Sequence, residues 1–300
     1  MKIWKQTIAF QALCLGLFCF SENSAQAYDS YNPCCNPCSG EMPEVYIGAE
    51  LIYWKPCVNN LDWALFSEDD LIASEEPQGR GRFLYIRPDW QAGLRLRIGK
   101  DEIYKGFGLS GSYTYLKADK FEQKEAIQSQ TLIPTLVHGG LIPVDNFPTE
   151  LADAKWNLRY QTFDVLLSHP FDCYGCHLLT PYFGVEGMIL HQTLSSHFLT
   201  GIEEMRSRFE SDFFGVGMKV GGFYAYKLNR CISFFGDVSA SILHGEAEMK
   251  DRSVVNVDSG ADRDLILRYE DCLFLPGYRI AVGFSYQFEI CSWAMDCHLG

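Results

Sequence analysis

Sulfur and charge carry most of the chemistry that this sequence could perform. Asn32-Pro33-Cys34-Cys35-Asn36-Pro37-Cys38 crowds its thiols into one short run, and thiolates are natural ligands of zinc or copper(I). No second pair of ligands stands nearby at ligand spacing, so no metal is expected. Cys173-Tyr174-Gly175-Cys176-His177 spells the C-x-x-C-H pattern of haem attachment, but it falls in a turn between candidate strands with nothing to bury a porphyrin. His191, His197 and His244 with Ser195 and Ser196 could in principle form a hydrolytic site. Neither G-x-S-x-G nor H-E-x-x-H accompanies them. Catalysis and a cofactor are therefore not expected. Disulfide chemistry is the remaining reading: of 12 cysteines, Cys14 and Cys19 fall in the leader, and the others make sense only in an oxidising compartment. The candidates are Cys34, Cys35, Cys38, Cys57, Cys173, Cys176, Cys231, Cys272 and Cys291.

The charged side chains recur at a second kind of spacing. Glu50, Arg95, Arg97, Arg159, Glu186, Lys219, Asp237 and Arg279 each stand in a stretch where apolar and polar residues alternate. In a strand, alternation places them on the face opposite the apolar one. A mixed set of this kind pairs readily, and as the lining of a lumen it implies weak selectivity.

The elements that must hold these groups are strands of about ten residues. The clearest runs from Arg279 to Phe288, with Ile280, Val282, Phe284, Tyr286 and Phe288 on one face and Arg279, Ala281, Gly283, Ser285 and Gln287 on the other. Similar stretches cover 45–54, 90–98, 107–116, 156–167, 179–191, 213–226 and 232–243, and a last one covers 293–300. In the stretch 156–167 the alternation of Trp156, Leu158 and Tyr160 slips near Phe163, which a bulge would explain. Such lengths, with aromatic ends and glycine or charge on the inner face, are those of strands crossing an outer membrane. The expected fold is all-β: an antiparallel transmembrane β-barrel of about 8–10 strands with short periplasmic turns and long external loops. Trp54, Tyr113, Tyr115, Trp156, Tyr224 and Tyr226 would form its aromatic girdle.

The N-terminus supplies the compartment. Lys2 and Lys5, an apolar stretch from Ile8 to Phe20 and Ala25-Gln26-Ala27 have the form of a cleavable signal peptide over 1–27. A cysteine-rich periplasmic lead (28–44) and one barrel (45–300) follow. The net charge of −13 argues against nucleic acid as a partner. No segment beyond the leader has enough apolar residues in a row for a spanning helix.

Gly48-Ala49-Glu50-Leu51-Ile52-Tyr53-Trp54-Lys55-Pro56, followed by Leu61-Asp62-Trp63-Ala64, resembles the opening strand and loop of the Legionella-type major outer membrane protein family, also abundant in Chlamydia-related bacteria. Trp156-x-Leu158-x-Tyr160 and Pro181-Tyr182-Phe183-Gly184 are similar to later segments of that family. The sequence departs from the pattern at its end, which lacks the usual aromatic-rich last strand. The resemblance implies a pore of the cell outer membrane passing ions and small hydrophilic solutes. The alternative is a non-conducting structural or adhesive envelope protein, because a barrel of about eight strands has an interior that side chains can fill. Strand direction puts Cys34, Cys35, Cys38, Cys173, Cys176, Cys231 and Cys291 on the periplasmic side, where they could cross-link to other envelope proteins or form local bridges. Cys57 and Cys272 would meet near the external rim, where the first and eighth strands close the barrel, and bridge there. Partners beyond these are outer-membrane lipid and the solutes, and a homo-oligomer is left open.

Overall fold

The computed structural model describes residues 45–67, 81–126, 130–136, 150–173, 176–200, 203–228, 232–257, 263–290 and 293–299. The expected signal peptide and cysteine-rich lead lie outside the described residues. The described strands are β1 (Val45–Trp54), β2 (Asp62–Ser67), β3 (Gly81–Tyr85), β4 (Gln91–Tyr104), β5 (Phe107–Glu125), β6 (Thr131–Pro134), β7 (Leu151–Ser168), β8 (Phe171–Cys173), β9 (His177–Thr200), β10 (Glu203–Lys227), β11 (Ile232–Val257), β12 (Arg263–Ile290) and β13 (Trp293–Leu299). All pairings are antiparallel. The main sheet runs β1-β4-β5-β7-β9-β10-β11-β12-β13, with β8 on β9, and a separate small sheet runs β3-β2-β6.

The main sheet is a meander in which each long strand pairs with the next. Its β4–β5 turn is Lys105-Gly106, both at positive φ (50° and 82°), between the paired Tyr104 and Phe107. Two left-handed residues match the twist of a hairpin, and glycine takes the second without strain. The hairpin turn thus lies several residues beyond the alternating stretch 90–98, after a break in register between Lys100 and Tyr104.

An apolar belt wraps the outside. Val45, Ile47, Leu51 and Tyr53 of β1, Leu94, Leu96 and Ile98 of β4, Phe183 and Val185 of β9, Val216, Met218 and Val220 of β10, Val238 and Ile242 of β11, and Ile280, Val282 and Phe284 of β12 are all exposed. A row of this size in water would be an aggregation site, whereas in a bilayer it is the lipid-facing surface. Crossing a membrane takes about 9–11 tilted residues. Strands β9 to β12, at 24, 25, 26 and 28 residues, extend well past the belt on the side away from the Lys105-Gly106 turn. That is the expected asymmetry of an outer-membrane barrel, with the long side external.

Beyond the belt the apolar face changes sides. On β5, Leu109, Tyr113 and Tyr115 point out, but Leu116 and Ala118 are fully buried. On β7, Phe163 and Val165 point out, whereas Trp156, Leu158, Ala154 and Ala152 point in. No bulge is needed: β7 keeps an unbroken register with β5 and with β9 over its full length. The slip in the sequence at Phe163 marks the depth where the apolar environment passes from lipid outside to protein inside. Trp54 and Trp156 accordingly lie inside the barrel, at 4% and 0% exposure, and not in a girdle.

What fills the external half is the small sheet. Leu61, Trp63, Ala64 and Phe66 on and before β2 and Leu132 of β6 form one buried cluster with Trp156, Leu194, Phe198, Met205, Leu243 and Val255 from the surrounding wall. Trp63 packs on Phe198 with ring centroids 6.1 Å apart. Full burial of each large apolar side chain contributes about 1.5–3 kcal/mol. Polar ties fix the sheet in place: Ser207 of β10 donates to the Leu136 carbonyl (3.2 Å), and Lys120 of β5 pairs with Asp89 beyond β3 (2.7 Å).

The main sheet is not sealed by hydrogen bonds between β1 and β12 or β13 among the described residues. It nevertheless curls round one interior, since Tyr46 of β1 and Arg279 of β12 line the same cavity.

Candidate functional site

Below the plug, inside the belt, the inner wall is ionised. Glu50 projects inward from β1 and accepts from Arg95 (3.2 Å) and Arg97 (3.0 Å) of the next strand. Arg95 also donates to Thr114 of β5 (3.0 Å) and lies over the Trp54 ring, 5.4 Å from its centroid. Lys219 of β10 reaches Glu186 of β9 (3.1 Å) and Asp164 of β7 (3.3 Å). Asp164 also accepts from Ser112 (2.9 Å). Asp237 of β11 accepts from Tyr182 (2.6 Å) and faces Arg279 of β12 (3.3 Å). Each charge is thus met by an opposite one from another strand, which offsets its loss of water.

Small inner residues make room for these long side chains. Gly184 faces Lys219 in the β9–β10 ladder, and a Cβ on it would lie 2.0 Å from the Val165 carbonyl oxygen of β7. Only glycine allows that approach. The groups border a cavity of about 110 Å³, lined among others by Tyr46, Asp101, Ser110, Asp164, Lys219 and Arg279. It has room for several waters.

The inner wall therefore brings together Glu50, Arg95, Arg97, Glu186, Lys219, Asp237 and Arg279. Arg159 does not join them. It is exposed on the outer face of β7, because Trp156, Leu158 and Tyr160 occupy the inner face that an unbroken phase assigns them. Asp164, which the sequence reading missed, takes its place as a lumen charge. Its signal was the parity shared with Thr162, once the apolar face is allowed to change sides.

Cys57, Cys176 and Cys272 are exposed free thiols. Cys57 and Cys272, expected to bridge, are both free thiols, and β1 and β12 do not pair among the described residues. Cys173 closes β8 opposite His177; Cys34, Cys35, Cys38, Cys231 and Cys291 lie outside the described residues. His177 hydrogen-bonds Tyr224 (2.7 Å).

The rim histidines are occupied on the outer wall. His191 contacts Asp212, His244 packs on Phe274, and His197 bridges Asp153 (3.1 Å) and Glu204 (2.5 Å). The Arg206 guanidinium, with His197, holds the Glu204 carboxyl below the usual carboxylate range. Ser195 and Ser196 point to opposite faces, with Ser196 buried. Among the described residues no group of histidine, cysteine or acidic side chains is placed to hold a metal.

A lipid-facing belt, an ionised interior and strands that outrun the bilayer on one side define an outer-membrane β-barrel protein. The family model described as Legionella pneumophila major outer membrane protein precursor matches residues 36–300, so the chain belongs to that major outer membrane protein family and resides in the outer membrane. No curated protein and no solved structure matches the chain.

Proposed function

We propose that the protein is a narrow pore for ions and small hydrophilic solutes, closed at its external end by the β2–β3–β6 sheet. The supporting observation is the ionised inner wall. A barrel whose interior served only as a core could be filled with apolar side chains at lower desolvation cost, yet Glu50, Arg95, Asp164, Lys219 and Asp237 are all buried there. Fixed charges of both signs beside a wet cavity solvate a passing ion with little preference for its sign. The paired geometry is the resting arrangement, and passage requires the plug to shift.

A second reading rests on the plug itself. Its Trp63 and Leu132 are fully buried, as are Trp156 and Phe198 of the wall around it, a degree of packing suited to a non-conducting structural protein. Planar-bilayer recording of refolded protein separates the two. Wild type is expected to give small, infrequent openings, and a Trp63→Ser/Phe66→Ser variant larger and more frequent ones. Silence from both, with the barrel folded, would favour the structural reading.

A further inference from the structure

Neither lumen nor plug accounts for one patch on the outer wall. Lys117 of β5 and Arg159 of β7 stand directly opposite each other, both exposed. Like charges across a ladder repel. Four other cations on the external wall have acidic partners: Arg206 with Glu204, Arg208 with Glu210, Lys250 with Glu248 and Arg252 with Asp264; the other like-charged pair, Lys250 opposite Arg268, is thereby met by Glu248 on one side. Lys117, Arg159 and Lys155 make no ion pair or hydrogen bond among the described residues. Arg159's neighbour on its other side, His191, is engaged with Asp212. Asp119, the nearest acid on this face, stands one row higher opposite Asn157, between that pair and Lys155, and Asp153 is held by His197.

The depth of the patch is defined by what lies beneath it. One row lower the ladder pairs Tyr115 with Gln161, and below that come Tyr113 with Phe163 and Leu109 with Leu167, the apolar belt. The two cations therefore sit where the belt ends on the long, external side, at the level of outer-leaflet headgroups. In a chain of net charge −13, an unpaired cationic row at that level calls for an anion supplied by the membrane. A phosphate satisfies the geometry: the guanidinium offers a planar two-pronged donor and the ammonium opposite a second charge.

We propose that Lys117 and Arg159 form a binding site for the phosphate group of an outer-leaflet glycolipid. Bound phosphate relieves the repulsion between the two strands and fixes the barrel's depth and rotation in the leaflet. Basic residues beside a membrane surface attract anionic headgroups by about fivefold each.

The test uses the full protein in phosphatidylcholine nanodiscs doped with bisphosphorylated lipid A or with its dephosphorylated form, and counts retained lipid by native mass spectrometry. Wild type is expected to retain the bisphosphorylated lipid preferentially, and K117Q/R159Q to lose about 25-fold in affinity for it. K250Q/R252Q, which removes cations that already have partners, should leave retention unchanged. Heat-modifiable gel mobility checks that every variant is folded, as is expected for exposed positions. Equal retention by wild type and K117Q/R159Q, or equal weakening by K250Q/R252Q, would overturn the proposal. So would inorganic phosphate alone binding wild type as tightly as the lipid, which would make the patch a site for free phosphate.

Discussion

The ammonium of Lys219 lies between Asp164 and Glu186 inside the barrel, 3.3 Å and 3.1 Å from them, and pairs with both carboxyl groups. Replacing it by methionine leaves two buried carboxylates without their cation, so Lys219→Met is expected to destabilise the barrel by about 3–5 kcal/mol. Urea unfolding in lipid should register that loss, and adding Glu186→Gln should recover much of it. A Lys219→Met barrel as stable as wild type would mean that the two ion pairs contribute nothing to its stability. Most of this charge network was legible from alternation alone, since a charge flanked by apolar residues at odd spacing must face away from them. Arg159 was misread for a definite reason. Its neighbours Trp156, Leu158 and Tyr160 are apolar because they meet the plug, and sequence alone does not say which apolar medium a tryptophan contacts.

A single strand here serves two solvents. The lower part of β9 presents Val185 to lipid, and its upper part turns Phe198 to the plug on the opposite face. Arginine should therefore be rejected on both faces at different heights. Val185→Arg is expected to cost about 2–4 kcal/mol from the lipid side, and Phe198→Arg at least the roughly 3–5 kcal/mol of deleting a buried ring. Asn157→Arg, outward but above the belt and opposite Asp119, should change stability by less than about 0.5 kcal/mol. If Asn157→Arg proved as harmful as Val185→Arg, the belt would extend higher than Tyr115. The existence and direction of the long strands can be read from period-two patterning, but their external halves read as loops. Those halves carry charge outside and small or aromatic residues inside, which over a short window looks like polar connecting chain. The β2–β3–β6 sheet was missed for a related reason: its strands are 6, 5 and 4 residues long, too short for a periodicity to stand out.

At the scale of the whole molecule, the short-turn side and the long side differ in chemistry as well as in length. Cys34, Cys35 and Cys38 precede β1, which starts on the short-turn side, whereas Cys57 and Cys272 are free thiols near the other rim. Native envelopes are expected to contain high-mass species that reductant dissolves and that disappear when Cys34, Cys35 and Cys38 are all replaced by serine. Non-reducing gels with monomer alone would show that these thiols bind nothing covalently. The seam between the first and last strands carries a different implication. β13 occupies the edge of β12 from Phe284 to Ile290, and it runs in the same direction as β1, since each is an odd member of an up-and-down series. Closure through β13 would zip two parallel strands, whereas closure after its release would zip β1 to β12 in the antiparallel sense. A barrel's diameter grows with its strand number. The same eight long strands thus have two circumferences open to them, one strand-width apart, and the seating of a seven-residue tail decides which one the interior must fill.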